Sequence, residues 1–362
     1  MSQYSKNISR YFVKPTSTIR DVMVVIDKTS GGIALVIDEN QFLLGTVTDG
    51  DVRRAMLANI SFEETIQIIL DKKKKTIYSK PITGIPNQDK PSYLKILKEH
   101  NLIHLPLIDE KNRVVDLVTL DDLTSEVGQG IRAVVMAGGA GKRLQPLTLD
   151  TPKPMLQVGD KPLLEIILDR LKQAGVKKVN ITTHYLKDKI TDHFQSAMPK
   201  DVDLSFISEE SPMGTAGALR FIEASDETIL VMNGDILTDL DFRVMLNYHR
   251  ESKADLTIAV RQYDFKVPYG VVECDGHSVK SISEKPVYNF FVNAGIYLLE
   301  PRVLNFIPKN NEKFDMTDLI SCLINNKKPI VSFPILEQWI DIGQPNDYAL
   351  AQQLIVAMEK KQ

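Results

Sequence analysis

The chain has 362 residues, 43% of them hydrophobic and 25% charged, which is comfortable for two packed domains of ordinary globular composition. A net charge of −3, from 44 basic and 47 acidic residues, supplies no overall basic field and argues against a nucleic-acid partner. Two cysteines cannot build a disulfide framework, residues 1–10 lack the apolar core of a signal peptide, and no apolar run is long enough to span a bilayer. The expectation is a cytoplasmic protein without membrane contact, with Cys274 and Cys322 as buried small apolar residues in a reducing compartment.

In chain order, the first feature is an internal repeat. An offset of 71 residues aligns Pro15 with Pro86, residues 33–38 with 104–109, and Thr48 and Asp51 with Thr119 and Asp122. Each copy, about 8–65 and 80–125, reads as a helix such as 19–26, an apolar strand ending in Asp, a turn, a second strand such as 43–47, and a helix from Asp51. The lysine run 72–75 reads as a solvated connection after a helix.

This pattern resembles a tandem pair of CBS domains over residues 1–125. In such pairs the Thr and Asp after the second strand can hold a nucleotide, which implies an adenine nucleotide effector at Thr48 with Asp51 and at Thr119 with Asp122. The same residues before an apolar run are also ordinary helix N-caps. Asp116 stands where the first copy has Gly45, which favours the Thr48 site. CBS pairs also pack against partners, so the resemblance implies homo-oligomerisation through this domain as well.

Polar residues 124–130 mark a boundary, and from residue 131 short apolar strands alternate with amphipathic helices, which predicts α/β architecture over 131–362. The strand 131–136 is apolar almost throughout, as a strand covered on both faces should be. Further strands are expected at 178–183, 204–208 and 228–232, with Pro162 opening a helix that stops near Gly175.

Directly after the first strand comes Gly138-Gly139-Ala140-Gly141-Lys142-Arg143-Leu144-Gln145-Pro146-Leu147-Thr148, then Pro152-Lys153-Pro154. Glycines let backbone N–H groups approach phosphate oxygens, Arg143 offers a planar fork and Lys153 a compact ammonium. No Ser or Thr follows Gly141-Lys142 as a Walker A motif requires, and Leu144 breaks G-x-G-x-x-G. A P-loop NTPase and a dinucleotide-dependent dehydrogenase are therefore disfavoured.

The segment resembles the signature of the sugar-1-phosphate nucleotidyltransferases. The resemblance implies a Rossmann-like (GT-A-like), mixed and mostly parallel sheet, a triphosphate cradle at Gly138, Gly139 and Gly141, and catalytic roles for Arg143 and Lys153. Further matches follow over about 230 residues. Asn233-Gly234-Asp235 and Trp339-Ile340-Asp341-Ile342-Gly343 imply Asp235 and Asp341 as ligands of Mg²⁺, a hard cation suited to carboxylate and phosphate oxygens. The segment 209–217 resembles the base-reading loop, with Gly214 and Thr215 beside the nucleotide.

Relatives using UTP or dTTP commonly carry Gln five residues before that glycine, where this chain has Glu209. A carboxylate suits the paired N1–H and N2–H₂ donors of guanine. GTP is therefore the expected nucleotide, with UTP or dTTP as the alternative. Tyr269-Gly270, Glu284-Lys285-Pro286 and Asn293-Ala294-Gly295 imply a sugar 1-phosphate held by Gly270, Glu284, Lys285 and Asn293.

The implied reaction is the joining of a nucleotide to a sugar 1-phosphate with release of pyrophosphate. The arrangement of CBS pair and transferase resembles guanylyltransferases of bacterial nonulosonate pathways, which implies glucosamine 1-phosphate, with mannose 1-phosphate as the other sugar. A nucleotide-sensing regulator that no longer reacts is the competing class, and intact Arg143, Lys153, Asp235 and Asp341 speak against it.

Overall fold

A computed structural model describes residues 7–29, 31–76, 78–123, 130–196, 201–209, 211–309 and 312–359. Most of the expected linker, residues 124–129, lies outside the described residues. The chain divides into two compact units, Met1–Val127 with Arg243–Glu251, and Gly128–Phe242 with Ser252–Gln362. No helix among the described residues is long and apolar enough to cross a membrane.

In the N-terminal unit the repeat is visible down to single hydrogen-bonded pairs. Strand Ile33–Ile37 runs antiparallel to Leu43–Thr48 with Ile33 opposite Thr48, and His104–Ile108 runs antiparallel to Val114–Thr119 with His104 opposite Thr119. Both pairs slip register at the same place, between Val36 and Ile37 and between Leu107 and Ile108. Val13 pairs in parallel with Val36 in the first copy, and Gly84 bridges Leu107 in the second. Asp38 and Asp109 each turn the chain by accepting two backbone N–H bonds, from Asn40 and Phe42 and from Lys111 and Arg113. The copies meet through equivalent residues, Phe42 and Arg113.

Two expectations for this unit change. The helix after the second strand is Asp49–Leu57, so Asp51 is its third residue and not its first. Lys73 is not a solvated surface cation: its side chain is 18% exposed and its ammonium lies 2.7 Å from Asp51. The glycine at position 45 has a packing cause, since a Cβ there would stand 2.7 Å from Leu70 Cδ2. Asp116, its counterpart, is buried and accepts the N–H of Leu117.

The C-terminal unit is built on a seven-stranded sheet in the order Asp203–Ser208, Lys178–Thr183, Ile131–Met136, Thr228–Asn233, Val287–Leu299, Leu256–Lys266, Ile330–Pro334. The first four strands are parallel, and Val287–Leu299 runs antiparallel to both neighbours, giving a mixed, mostly parallel sheet. Their β-branched and aliphatic residues pack beneath Leu219, Leu319 and Leu323 from the covering helices. Pro162 takes the N-cap of helix Leu163–Gln173, one position earlier than expected. Cys274 is exposed and Cys322 half-buried, so neither is the buried residue expected; Cys274 lies on a hairpin, Val271–Asp275 with Ser278–Ser283, whose residues are almost all exposed.

Candidate active site

The carboxyl ends of the parallel strands frame the site, as open α/β sheets favour. Strand Ile131–Met136 delivers the glycine loop, and Ala137 continues the ladder by donating to the Thr182 carbonyl. A Cβ at Gly139 would meet nothing within 4 Å, so this backbone is bare toward the cavity. Gly141 has φ +60°, and a Cβ there would press on Thr148 and Lys153 at 3.0 and 3.1 Å. Thr148 closes the loop by donating to the Gly141 carbonyl at 2.9 Å. These contacts turn the loop toward Lys153, held in the short helical turn Lys153–Met155 between two prolines.

Lys153 is 8% exposed. Its ammonium donates to Asp235 Oδ2 and lies 3.9 Å from Asp341 Oδ1. Asp235 ends strand Thr228–Asn233 two residues on. The two carboxylates meet because strand Ile236–Thr238 pairs antiparallel with Trp339–Asp341, placing Ile236 opposite Asp341, and because Ile342 N–H donates to the Asp235 carbonyl. Trp339 secures this arrangement through its indole N–H on the Ala294 carbonyl at 3.0 Å. Burial and the nearby Asp235 charge push the Asp341 carboxyl above its ordinary range, with Lys153 and Arg143 opposing. The Arg143 guanidinium comes within 3.7 Å of where a Gly343 side chain would begin, so it faces the Asp341 segment.

Two observations bear on a metal. Asp235 Oδ1 is buried with no hydrogen-bond partner. Two crowded carboxylates with one orphaned oxygen form a donor set that fits a hard divalent cation. Among the described residues no cluster of three or more His, Cys, Asp or Glu could hold a metal alone, so phosphate oxygens and water would have to complete the shell.

An open cavity runs from this cluster, its walls including Gly138, Gly139, Lys153, Glu209, Thr215 and Asp235. Glu209 Oε2 accepts the Met213 N–H at 3.0 Å, and Oε1 lies 3.4 Å from where a Gly138 side chain would begin. Gly214, at φ +79°, leaves room for Asp315: a Cβ would stand 2.5 Å from its Oδ1. Thr215 donates its N–H to that oxygen and accepts the Met316 N–H on its hydroxyl. His184, Asn233 and Lys313 also line the cavity. His184 and Lys313 carry no sequence signal, since each stands apart from the motifs that mark the site, whereas Asn233 opens the Asn233-Gly234-Asp235 motif.

The expected sugar residues form a separate group. Gly270 and Glu284 are in contact, and Lys285 donates its N–H to the Tyr269 carbonyl while its ammonium lies 3.9 Å from Glu284. The Glu284 and Lys285 side chains are 74% and 60% exposed, at the base of the exposed hairpin and outside the cavity wall. Asn293 stands on the strand beside it, its amide donating to the Tyr297 hydroxyl and its carbonyl accepting Gly295 N–H.

In the N-terminal unit Thr48 and Asp51 form a reciprocal capping box. Asp51 is 5% exposed and also binds Lys73 and Arg54 at 2.7 and 2.8 Å. Burial opposes its charge, but the two cations hold its carboxyl below the ordinary range. A cleft opens over it, with Thr48, Arg54, Lys73, Lys80 and His104 in its wall. Thr119 and Asp122 repeat the capping hydrogen bonds but do not line that cleft.

Comparison with known proteins adds an independent line. The nucleotidyl transferase family model matches residues 132–357, and the CBS domain model matches residues 6–58 and 94–128. The mannose-1-phosphate guanylyltransferase catalytic subunit beta of Drosophila pseudoobscura pseudoobscura is 34% identical over 233 residues, covering 61% of this chain and 62% of that protein. The UTP–glucose-1-phosphate uridylyltransferase of a Synechocystis strain is 30% identical over 251 residues, covering 64% of this chain and 65% of that protein. The chain thus spans less than two thirds of the length of these curated relatives. A solved Bacillus anthracis protein in complex with a sucrose shares the fold, with a TM-score of 0.50 and 23% identity over 62% of this chain and 94% of that one.

Proposed function

The chain belongs to the nucleotidyl transferase family, and we propose that it joins GTP to a sugar 1-phosphate, forming a GDP-sugar and pyrophosphate. The observation that carries the reading is the Lys153–Asp235–Asp341 cluster at the end of a cavity walled by bare glycine backbone. It unites a phosphate cradle, a buried ammonium and a carboxylate pair suited to a cation. In this reading residues 1–125 form the CBS domain and residues 131–362 the transferase domain.

An oxygen of the sugar 1-phosphate attacks the α-phosphorus. A P–O bond forms there as the bond to the β-phosphate oxygen breaks, and pyrophosphate leaves with the electron pair. The attacking oxygen is already ionised near neutral pH, so no general base is required. What the chain must supply is alignment of two anions and neutralisation of the charge that gathers between them. Gly138, Gly139 and Gly141 present backbone toward the triphosphate, Arg143 neutralises its phosphates, and Lys153 stands at the α-phosphate. Lys285 receives the sugar phosphate, while Gly270, Glu284 and Asn293 hold sugar hydroxyls. Asp235 and Asp341 would hold Mg²⁺, which would supply positive charge to the phosphate oxygens when bound.

Glu209 supports guanine, because it lines the cavity and each carboxylate oxygen has two acceptor sites for N1–H and N2–H₂. Gly214 and Thr215 shape the wall beside the base. The names of the guanylyltransferase relatives agree with GTP and put mannose 1-phosphate first among the sugars, ahead of glucosamine 1-phosphate. The uridylyltransferase relative favours UTP as the second reading. We place the reaction in the cytoplasm and assign the CBS domain two tasks, self-association and binding of an adenine nucleotide at the Thr48–Asp51 cleft.

Arg143→Ala and Asp235→Ala should each lower turnover at least a hundredfold, on the scale of about 3 kcal/mol for one lost charge-stabilising contact. Pyrophosphate release measures this. Near-normal rates in either variant would overturn the assignment of the site.

A further inference from the structure

The base end of the cavity carries an unassigned cation, Lys313. The residues that follow it bind the segment to the base-reading loop through five hydrogen bonds. Phe314 N–H donates to the Met213 carbonyl, and the Phe314 carbonyl accepts the N–H groups of Ala216 and Gly217. Asp315 Oδ1 accepts Thr215 N–H, and Met316 N–H donates to the Thr215 hydroxyl. Lys313 is thereby fixed beside the loop that carries Glu209, and its side chain enters the wall of the same cavity. The phosphate end, at Lys153 and Asp235, is built by different segments.

Lys313 is anchored but not saturated. Its ammonium lies 2.8 Å from Asp315 Oδ2, and that hydrogen bond holds its pKa above the ordinary lysine value. An ammonium has three donors, so two remain for other acceptors. The guanine edge presents N2–H₂, N1–H and then O6, two donors followed by an acceptor. Glu209 answers the donors. The acceptor needs a donor from the protein, and Lys313 is the cation that the loop geometry brings to this end.

We infer that Lys313 is a specificity-determining residue that donates to guanine O6 and rejects adenine, whose N6 amine would turn a donor toward the ammonium. The inference rests on the guanine reading of Glu209. It assigns the third point of recognition to a residue from a segment 104 residues further along the chain.

The test compares kcat/KM of wild type, Lys313→Met and Lys313→Arg on four nucleotides, each with the same sugar 1-phosphate. GTP is the reference, 6-thio-GTP weakens the acceptor at position 6, ITP removes only the N2 amine, and ATP replaces O6 by an amine. Lys313→Met should lower kcat/KM for GTP and ITP about ten- to a hundredfold, the range of one hydrogen bond to a charged group. The penalty on 6-thio-GTP and the GTP-to-ATP preference should shrink by a similar factor, the GTP-to-ITP ratio should not move, and Lys313→Arg should restore most of the loss. An unchanged rate on GTP, or an equal loss on GTP and 6-thio-GTP, would overturn the role of Lys313, the second outcome assigning it to support of the loop. A wild type that prefers UTP or dTTP would remove the guanine reading itself.

Discussion

Asp51 shows how one carboxylate can hold local structure and line a cationic cleft at once. It is buried, caps its own helix, and neutralises Lys73 and Arg54. Asp51→Ala would leave Lys73 without its carboxylate partner, so denaturant unfolding of the full chain should report a loss of about 3 kcal/mol in the transition that includes this domain. The sign with pH follows from the lowered carboxyl. The native value lies below the unfolded one, so the contribution is complete above the ordinary carboxylate range and fades as pH falls through the native value. Wild type and Asp51→Ala should converge on acidification. The variant should also abolish the rise in melting temperature expected from an adenine nucleotide. Equal stability at neutral pH would contradict this account. Residue types at this scale were largely legible. Thr48 with Asp51 reads equally as cap or site, and the fold makes it both a cap and part of a cationic cleft. Lys73 was not legible, because a lysine run looks solvated until Asp51 is seen buried beneath it.

Among the elements, the short strand pair Ile236–Thr238 with Trp339–Asp341 decides whether the carboxylates meet. Trp339 ties that pair to Ala294 by one hydrogen bond. Trp339→Phe keeps an aromatic ring, though a smaller one, and removes the donor, whose loss costs about 1 kcal/mol. If this bond positions Asp341, the Mg²⁺ concentration for half-maximal rate should rise a few-fold with little change in KM for GTP. An unchanged metal requirement would show that the strand pair holds Asp341 unaided. The strands at 131–136 and 228–233 were legible because burial on both faces leaves an almost continuous aliphatic run. The three-residue strands were not: such a stretch has too few residues to show a period, and its partner lies about 100 residues away. The segment bearing Lys313 was hidden for the same reason, since its polar residues read as a loop and only the hydrogen bonds reveal what they hold.

At the scale of the molecule, the motif order from Gly138 to Asp341 carried the transferase domain, and the 71-residue repeat carried the CBS pair. The division of the chain was only partly readable. The segment Arg243–Glu251 groups with the N-terminal unit although it lies in the middle of the family match. Its sequence reads as one more amphipathic helix, and nothing in its pattern says which unit it joins. Likewise, Glu284 and Lys285, the residues expected to meet the sugar phosphate, form a group of their own outside the cavity wall. The most direct test is pyrophosphate release by the full chain with Mg²⁺ and each of GTP, ATP, UTP and dTTP, with and without mannose 1-phosphate or glucosamine 1-phosphate. The account predicts release with GTP that requires one of the sugar phosphates and matches the GDP-sugar formed. Absence of sugar-dependent release with every nucleotide would contradict it.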